Sequence, residues 1–163
     1  VPVTSDIVAS YRGPGRVVGR LLSDGRREER ALAILMAACL LYFLSRLPSL
    51  ARDAHLQGED LNPLLGGALF GWIFIAPLLM YGIAGVSHML ARVLGGKGTW
   101  FGARMALFWA LLASSPLVLL NGLVAGFIGP GPGLTVVGLL WVVVFLWFWI
   151  SGLRVAEKGA SPA

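Results

Sequence analysis

The distribution of apolar and polar positions divides the chain into a polar first thirty residues and four long apolar segments. Within 1–30, the break Gly13-Pro14-Gly15 separates two short helices: Ser5 or Asp6 can cap the first, and Pro14 suits the first turn of the second. In the second helix Val17, Val18, Leu21 and Leu22 form an apolar stripe, with Arg16 and Arg20 one turn apart beside it. The apolar segments run over about 31–47, 63–90, 103–128 and 134–153. The first is Ala/Leu-rich and ends at Arg46 and Pro48; the second starts with Asn62 as N-cap and Pro63 in the first turn. A bilayer crossing takes roughly 20 residues. The pattern therefore predicts an all-α protein, an integral membrane bundle of four transmembrane helices with an N-terminal amphipathic interfacial arm. Its parts are the arm at 1–30, the transmembrane domain at 31–153 and a short tail at 154–163.

The second and third segments are longer than the hydrocarbon demands, and each carries a proline near its middle, Pro77 and Pro116. Each proline leaves a carbonyl without its helical donor, that of Ile73 or Leu112. Inside lipid such a group needs a neighbouring helix, a hydroxyl or water. The two proline-bearing helices are accordingly expected to meet at these kinks, with both carbonyls turned to protein. Between the spans, residues 48–57 predict a short helix ended by Gly58, and Gly129-Pro130-Gly131-Pro132-Gly133 allows only a tight antiparallel hairpin.

Charge fixes an expected direction. With four crossings, one side carries six basic residues in the arm, three in the second loop (Arg92, Lys97, Arg104) and two in the tail, against only Arg46 and Arg52 on the other. That bias predicts both termini in the cytoplasm. Composition excludes an ordinary soluble domain: 57% of residues are hydrophobic, 13% are charged against the usual quarter, and mean hydropathy is +0.80. No removable signal peptide is expected before the first apolar segment, and the spans are expected to act as their own targeting signal. Cys39 is the lone cysteine and lies in an apolar run, where it packs as a small hydrophobe.

Candidate chemistry is sparse because the span interiors lack Asp, Glu, Lys and Arg. Proton-driven transport, charge-coupled pumping and intramembrane proteolysis all need titrating groups at depth. Asp53, His55, Glu59 and Asp60 lack a second histidine and helical register, so no metal is expected, and Ser87, Ser114 and Ser115 lack the base and acid a nucleophile requires. No catalytic residue and no cofactor is predicted. The arm arginines, Arg12, Arg16, Arg20, Arg26, Arg27 and Arg30, are the candidate contacts to anionic lipid phosphates. His88 and Arg92, one turn apart at the end of the second span, form a second candidate for a lipid phosphate or acidic partner, with simple snorkelling as the alternative.

Packing signals are richer. Gly67-xxx-Gly71 and Gly122-xxx-Gly126 carry small residues at the spacing that lets helices approach closely, and Asn121 can bridge helices beside the second motif. With Pro77 and Pro116 these are the candidate helix-packing residues. Trp147 and Trp149 read as interfacial belt residues, whereas Trp72, Trp109 and Trp141 fill gaps between helices or face lipid.

The stretch Gly95-Gly96-Lys97-Gly98-Thr99-Trp100-Phe101, followed by a helix with Ser115-Pro116, resembles the bacterial branch of the Yip1 family. So does the preceding layout: a basic amphipathic arm, an Arg/Glu-rich step into a span, then an Ala/Leu-rich helix. The resemblance covers roughly 12–155 and implies an integral membrane protein without an established activity. Eukaryotic members look like membrane-traffic factors interacting with small GTPases, and their Asp-Leu-Tyr-Gly-Pro signature is absent here. The expectation is a non-enzymatic, multi-pass protein of the bacterial inner membrane. It organises membrane or protein partners through helix and anionic-lipid contacts, with no nucleic-acid partner. The alternatives are an accessory subunit of a larger, bioenergetic inner-membrane complex and, behind it, a small-solute transporter or channel.

Overall fold

The computed structural model describes residues 2–23 and 27–157, and every regular element among them is helical. The arm forms α1 (Pro2–Ser10) and α2 (Pro14–Ser23), and the first crossing is α3 (Glu28–Gln57). The second joins α4 (Leu61–Phe70), a π-helical turn (Gly71–Ile75) and α5 (Ala76–Val93) into one 33-residue rod. The third is a pair, α6 (Trp100–Ala113) and α7 (Ser115–Phe127), bent by 43°. The last is α8 (Pro132–Glu157). Three of these units are long and apolar enough to cross a membrane alone, and the bent pair, taken as one span, makes a fourth. The pair runs the length of α8: the loop before α6 is bonded to the last turn of α8, and a tight turn joins α7 to its start. The protein is thus an all-α, multi-pass membrane protein.

Several element boundaries differ from the expected ones. α3 does not end at Leu47; it continues through Pro48 to a left-handed cap at Gly58 (φ 67°) that offers its N–H to Ala54. Pro48 lies against Gly126 of α7, where a side chain would overlap it. Ser45 and Ser49 donate their hydroxyls to the carbonyls of Tyr42 and Arg46, supporting the turns around it. The second crossing is capped by Asp60 rather than Asn62, its carboxylate accepting the Asn62 N–H at 3.2 Å. Pro77 produces no break there. The π-helical turn before it widens the helix by one residue, sending the Ala76 N–H to Gly71 and seating Pro77 in the first turn of α5. The third crossing starts at Trp100, where Thr99 accepts the Gly102 N–H at 3.0 Å. α8 reaches four residues beyond the expected end at Leu153, to Glu157.

The core is built on α6. Almost every residue from Phe101 to Ser115 is buried, on all sides of the helix, because α2, α3, α5 and α8 surround it. Trp109 is only 2% exposed and Phe108 is fully buried. The outward faces of α5, α7 and α8 present the opposite character, with Leu78 74% exposed and Phe127, Leu139 and Val143 also open. Such surface suits lipid and nothing aqueous.

The arm departs most from expectation. Its apolar stripe is not free to face headgroups, because Val17, Val18 and Leu21 are buried against the bundle. α2 crosses α8 where neither helix has bulk: a Cβ on Gly152 would touch Val18 at 3.0 Å, and one on Gly15 would touch Val155 at 3.1 Å. Hydrogen bonds key the hairpin into the core, with Trp109 Nε1 donating to Ser10 Oγ at 2.9 Å and Ser10 Oγ donating to the Asp6 carbonyl. A helix that already buries its stripe in protein has no second stripe to offer the membrane.

Candidate functional site

The bend between α6 and α7 releases backbone polar groups inside the apolar interior. Pro116 stands in the first turn of α7, the position where its missing N–H costs least. Leu117 turns its N–H back to Ser114 at 3.1 Å, which leaves the Ala113 carbonyl without its usual donor. Tyr11, arriving from the arm, supplies the replacement: its hydroxyl donates to the Ala113 carbonyl at 2.8 Å. On the other flank, the Tyr42 hydroxyl of α3 lies 3.2 Å from the Leu111 carbonyl and 3.1 Å from Ser114 Oγ, and accepts from Trp141 Nε1 at 2.9 Å. Two phenols from two different elements thus clamp the bend. Burial pushes the Tyr11 phenol above its ordinary range, so it serves as a neutral donor.

This resolves the expectation about the prolines differently. Pro77 is buried while Pro116 is exposed, and α5 packs on α6 rather than α7, so the two kinks do not form a shared contact. The Ser114 N–H goes to the Ala110 carbonyl at 3.0 Å and is only shared with the Leu112 carbonyl; the hydroxyl partners go to its neighbours, Leu111 and Ala113.

From Tyr42 a pocket of about 260 Å³ opens toward the far side of the molecule, the side opposite the arm. One wall is the α3 stripe Tyr42, Ser45, Arg46 and Ser49; the facing wall is the α7 stripe Val118, Asn121, Gly122 and Ala125. Trp72, Gly138 and Trp141 close it. Gly122 and Gly126 set the width at its back, where Cβ atoms on them would overlap the backbone of Ser45 and Pro48. Asn121 reaches α8, donating to the Leu134 carbonyl at 3.3 Å. Gly67 and Gly71, by contrast, have nothing within 4 Å and mark no contact within the chain.

The arm side carries a different arrangement. Arg12, Arg16 and Arg20 line an open groove of about 470 Å³ between α1 and α2. Arg20 is tied to Asp6 by an ion pair, whereas Arg12 and Arg16 are exposed and have no such partner among the described residues. Arg27 is exposed just before α3, Arg30 lies in its first turn, and Arg26 falls outside the described residues. His88 does not face lipid, as the spacing with Arg92 suggested. It is 1% exposed, its Nδ1 lies 2.7 Å from Glu157 Oε1, and its ring stands edge-on to Trp100 at 4.5 Å. Arg92 alone of that pair is exposed.

Glu157 was invisible to sequence reasoning because it lies beyond the expected end of the last span. Its second oxygen accepts the Gly98 N–H at 3.1 Å, and its carbonyl accepts the Lys97 N–H at 2.9 Å. The Gly95–Thr99 loop is therefore a clip on the end of α8. Gly95 turns the chain at φ 96°, and a Cβ on Gly98 would overlap the Ala156 carbonyl. Arg104 and Glu28 form a further ion pair joining α6 to the start of α3. Tyr11 and Tyr42 were also missed. The available signal was a phenol in or beside an otherwise hydrocarbon pattern, since a buried tyrosine hydroxyl requires a partner.

The described geometry offers holding and clamping: a basic groove, a lined pocket and two phenols on the bend. The chain matches the family described as the Yip1 domain over residues 10–161, a stretch that takes in α2 and Tyr11 as well as the crossings. No curated protein and no solved structure matches it. The chain belongs to the Yip1 family.

Proposed function

We propose that this Yip1-family membrane protein is a non-enzymatic organiser of membrane or protein partners, which holds anionic lipid headgroups on its arm side. The observation that supports the reading is the groove between α1 and α2. Its Arg12 and Arg16 guanidinium groups are exposed and have no ion-pair partner among the described residues, and the docked apolar stripe fixes their position. Arginine beside an anionic surface contributes about 1 kcal/mol per residue, and its planar fork suits phosphate. Arg27 and Arg92 extend the basic surface on the same side. The reading includes both termini in the cytoplasm of a bacterium and insertion in its inner membrane, with Arg and Lys concentrated at the arm end.

The full chain in detergent should retain phosphatidylglycerol over phosphatidylcholine in native mass spectrometry. Changing Arg12 and Arg16 together to glutamine should lower the arm-side part of that retention roughly thirtyfold, as expected from about 1 kcal/mol per arginine. Added salt should weaken it too, because surface attraction is screened over about 10 Å at 0.1 M. Equal retention of the neutral lipid would contradict the reading. Reporter fusions at residues 1 and 163 should both report cytoplasm, and a cysteine at Gln57 should label from outside. External labelling of either terminus would overturn the orientation.

The accessory-subunit reading draws on one observation, the open apolar face of α8 at Leu139, Val143 and Ile150. A stoichiometric large partner surviving mild-detergent purification would favour it.

A further inference from the structure

We propose that the far-side pocket between α3, α7 and α8 binds an anionic amphiphile, its phosphate or carboxylate on Arg46 and its first apolar segment against Trp72 and Trp141. The site does not rest on the arm groove, which lies at the other end of the molecule.

Position supplies the first argument. Arg46 is eighteen residues along α3 from Glu28, the residue paired with Arg104 at the arm end. At 1.5 Å per residue that is roughly 27 Å, close to the ~30 Å thickness of the hydrocarbon. Arg46 therefore stands at the boundary of the opposite leaflet, where headgroups begin. Arg52, one and a half turns further on, is occupied in holding the bundle: its Nη1 donates to the Gly126 carbonyl at 3.3 Å. Arg46 makes no hydrogen bond or ion pair through its guanidinium among the described residues.

The pocket's chemistry supplies the second. Arg46 is its one charged lining group, so the site is cationic, and it contains no carboxylate to compete for the guanidinium. Asn121, beside the Gly122 contact with Ser45, adds a neutral polar group just deeper than Arg46, at the level where an ester or glycerol would lie, and Ser49 stands one turn further out. Below them the walls turn apolar and aromatic. The Tyr42 hydroxyl at the floor is already committed to Trp141 and the bend, so the deep end offers a surface for methylene groups rather than a free hydrogen-bonding partner. Cation above, polar shoulder, aromatic floor is the order in which a lipid presents headgroup, ester and chain.

Shape supplies the third. Gly122 holds α3 and α7 in backbone contact at the back, and Gly138 leaves the α8 wall without a side chain at the front. The resulting 260 Å³ could hold about nine waters at ~30 Å³ each. That is room for a headgroup and a few methylenes, with the remainder of the chain left in the bilayer.

The test uses the full chain, with lipids brominated near the top of the acyl chain as quenchers of tryptophan fluorescence. Brominated phosphatidylglycerol should quench a saturable component that brominated phosphatidylcholine does not, and Trp72→Phe with Trp141→Phe should remove that component. Arg46→Gln should weaken its apparent affinity at least fivefold, Arg46→Lys should largely preserve it, and the Arg12/Arg16 double variant should leave it unchanged. Should Arg46→Gln fail to fold, Gly138→Val, which fills the pocket without touching charge, should lower the same component. Full displacement by inorganic phosphate would assign the site to a soluble anion and overturn the amphiphile. Unchanged quenching in Arg46→Gln and Gly138→Val, or equal quenching by both lipids, would overturn the site.

Discussion

Gly122→Val should be among the most damaging single substitutions in this protein. The glycine faces the backbone of α3, and a Cβ in its place would overlap the Ser45 carbonyl oxygen. A backbone carbonyl cannot swing aside as a flexible side chain can, so the helices themselves must separate. α3 and α7 make the broadest helix pair among the described residues, and Gly126 repeats the same close approach one turn later against Pro48. Overpacking generally costs about 1–3 kcal/mol, and here the upper end or more is expected, since the pairing is lost along its length. For a chain of this size about 3 kcal/mol corresponds to a fall of roughly 6–12 °C in melting temperature. Gly67→Val and Gly71→Val provide the control. Both glycines meet open space, so their variants should melt at or slightly above the parent, valine being the better helix former. Thermal unfolding in one detergent checks all three, and comparable losses at Gly67 and Gly122 would refute the assignment of the close contact.

These two small-residue motifs illustrate what was legible in the chain and what was not. Spacing shows that a helix could be approached at Gly67 or Gly122; it does not show whether another helix arrives. The helical class and the four-segment organisation were legible because long charge-free runs admit few other structures in lipid. Boundaries were less so. Pro48 reads as a stop, yet the helix continues through it beside Gly126 of α7, a neighbour that local sequence does not reveal. The arm shows the same limit in another form. An amphipathic stripe declares that it must be buried but not in what, and α2 buries it in protein, where the sparse bulk of Gly152 makes room.

His88 was legible as an unusual residue and misleading in direction. One-turn spacing placed it beside Arg92, whereas its partner is sixty-nine residues away at the end of α8. The Gly95–Thr99 stretch that carried the family resemblance was recognisable as a motif. Its physical role was hidden, because the backbone N–H groups that hold Glu157 leave no trace in side-chain pattern.

The bend itself should depend on the tyrosines more than on the proline. Tyr42→Phe removes the acceptor for Trp141 Nε1 and the hydroxyl beside the Leu111 carbonyl and Ser114. Leaving buried groups unsatisfied costs about 1–3 kcal/mol, and Tyr42→Phe should fall in the upper part of that range. Tyr11→Phe orphans the Ala113 carbonyl alone and should cost about 1 kcal/mol. Because both hydroxyls hold the same few residues, the double variant should depart from the sum of the singles, as contacting sites do. Pro116→Ala restores a donor where Leu112 can use it, yet the two hydroxyl contacts remain. That variant should be folded, with the bend retained and packing altered locally. Hydrogen exchange over 111–117 together with melting temperature separates the causes. Faster exchange in Tyr42→Phe and near-parent exchange in Pro116→Ala are expected. The reverse order would show that the proline, and not the pair of phenols, holds α6 and α7 at their angle.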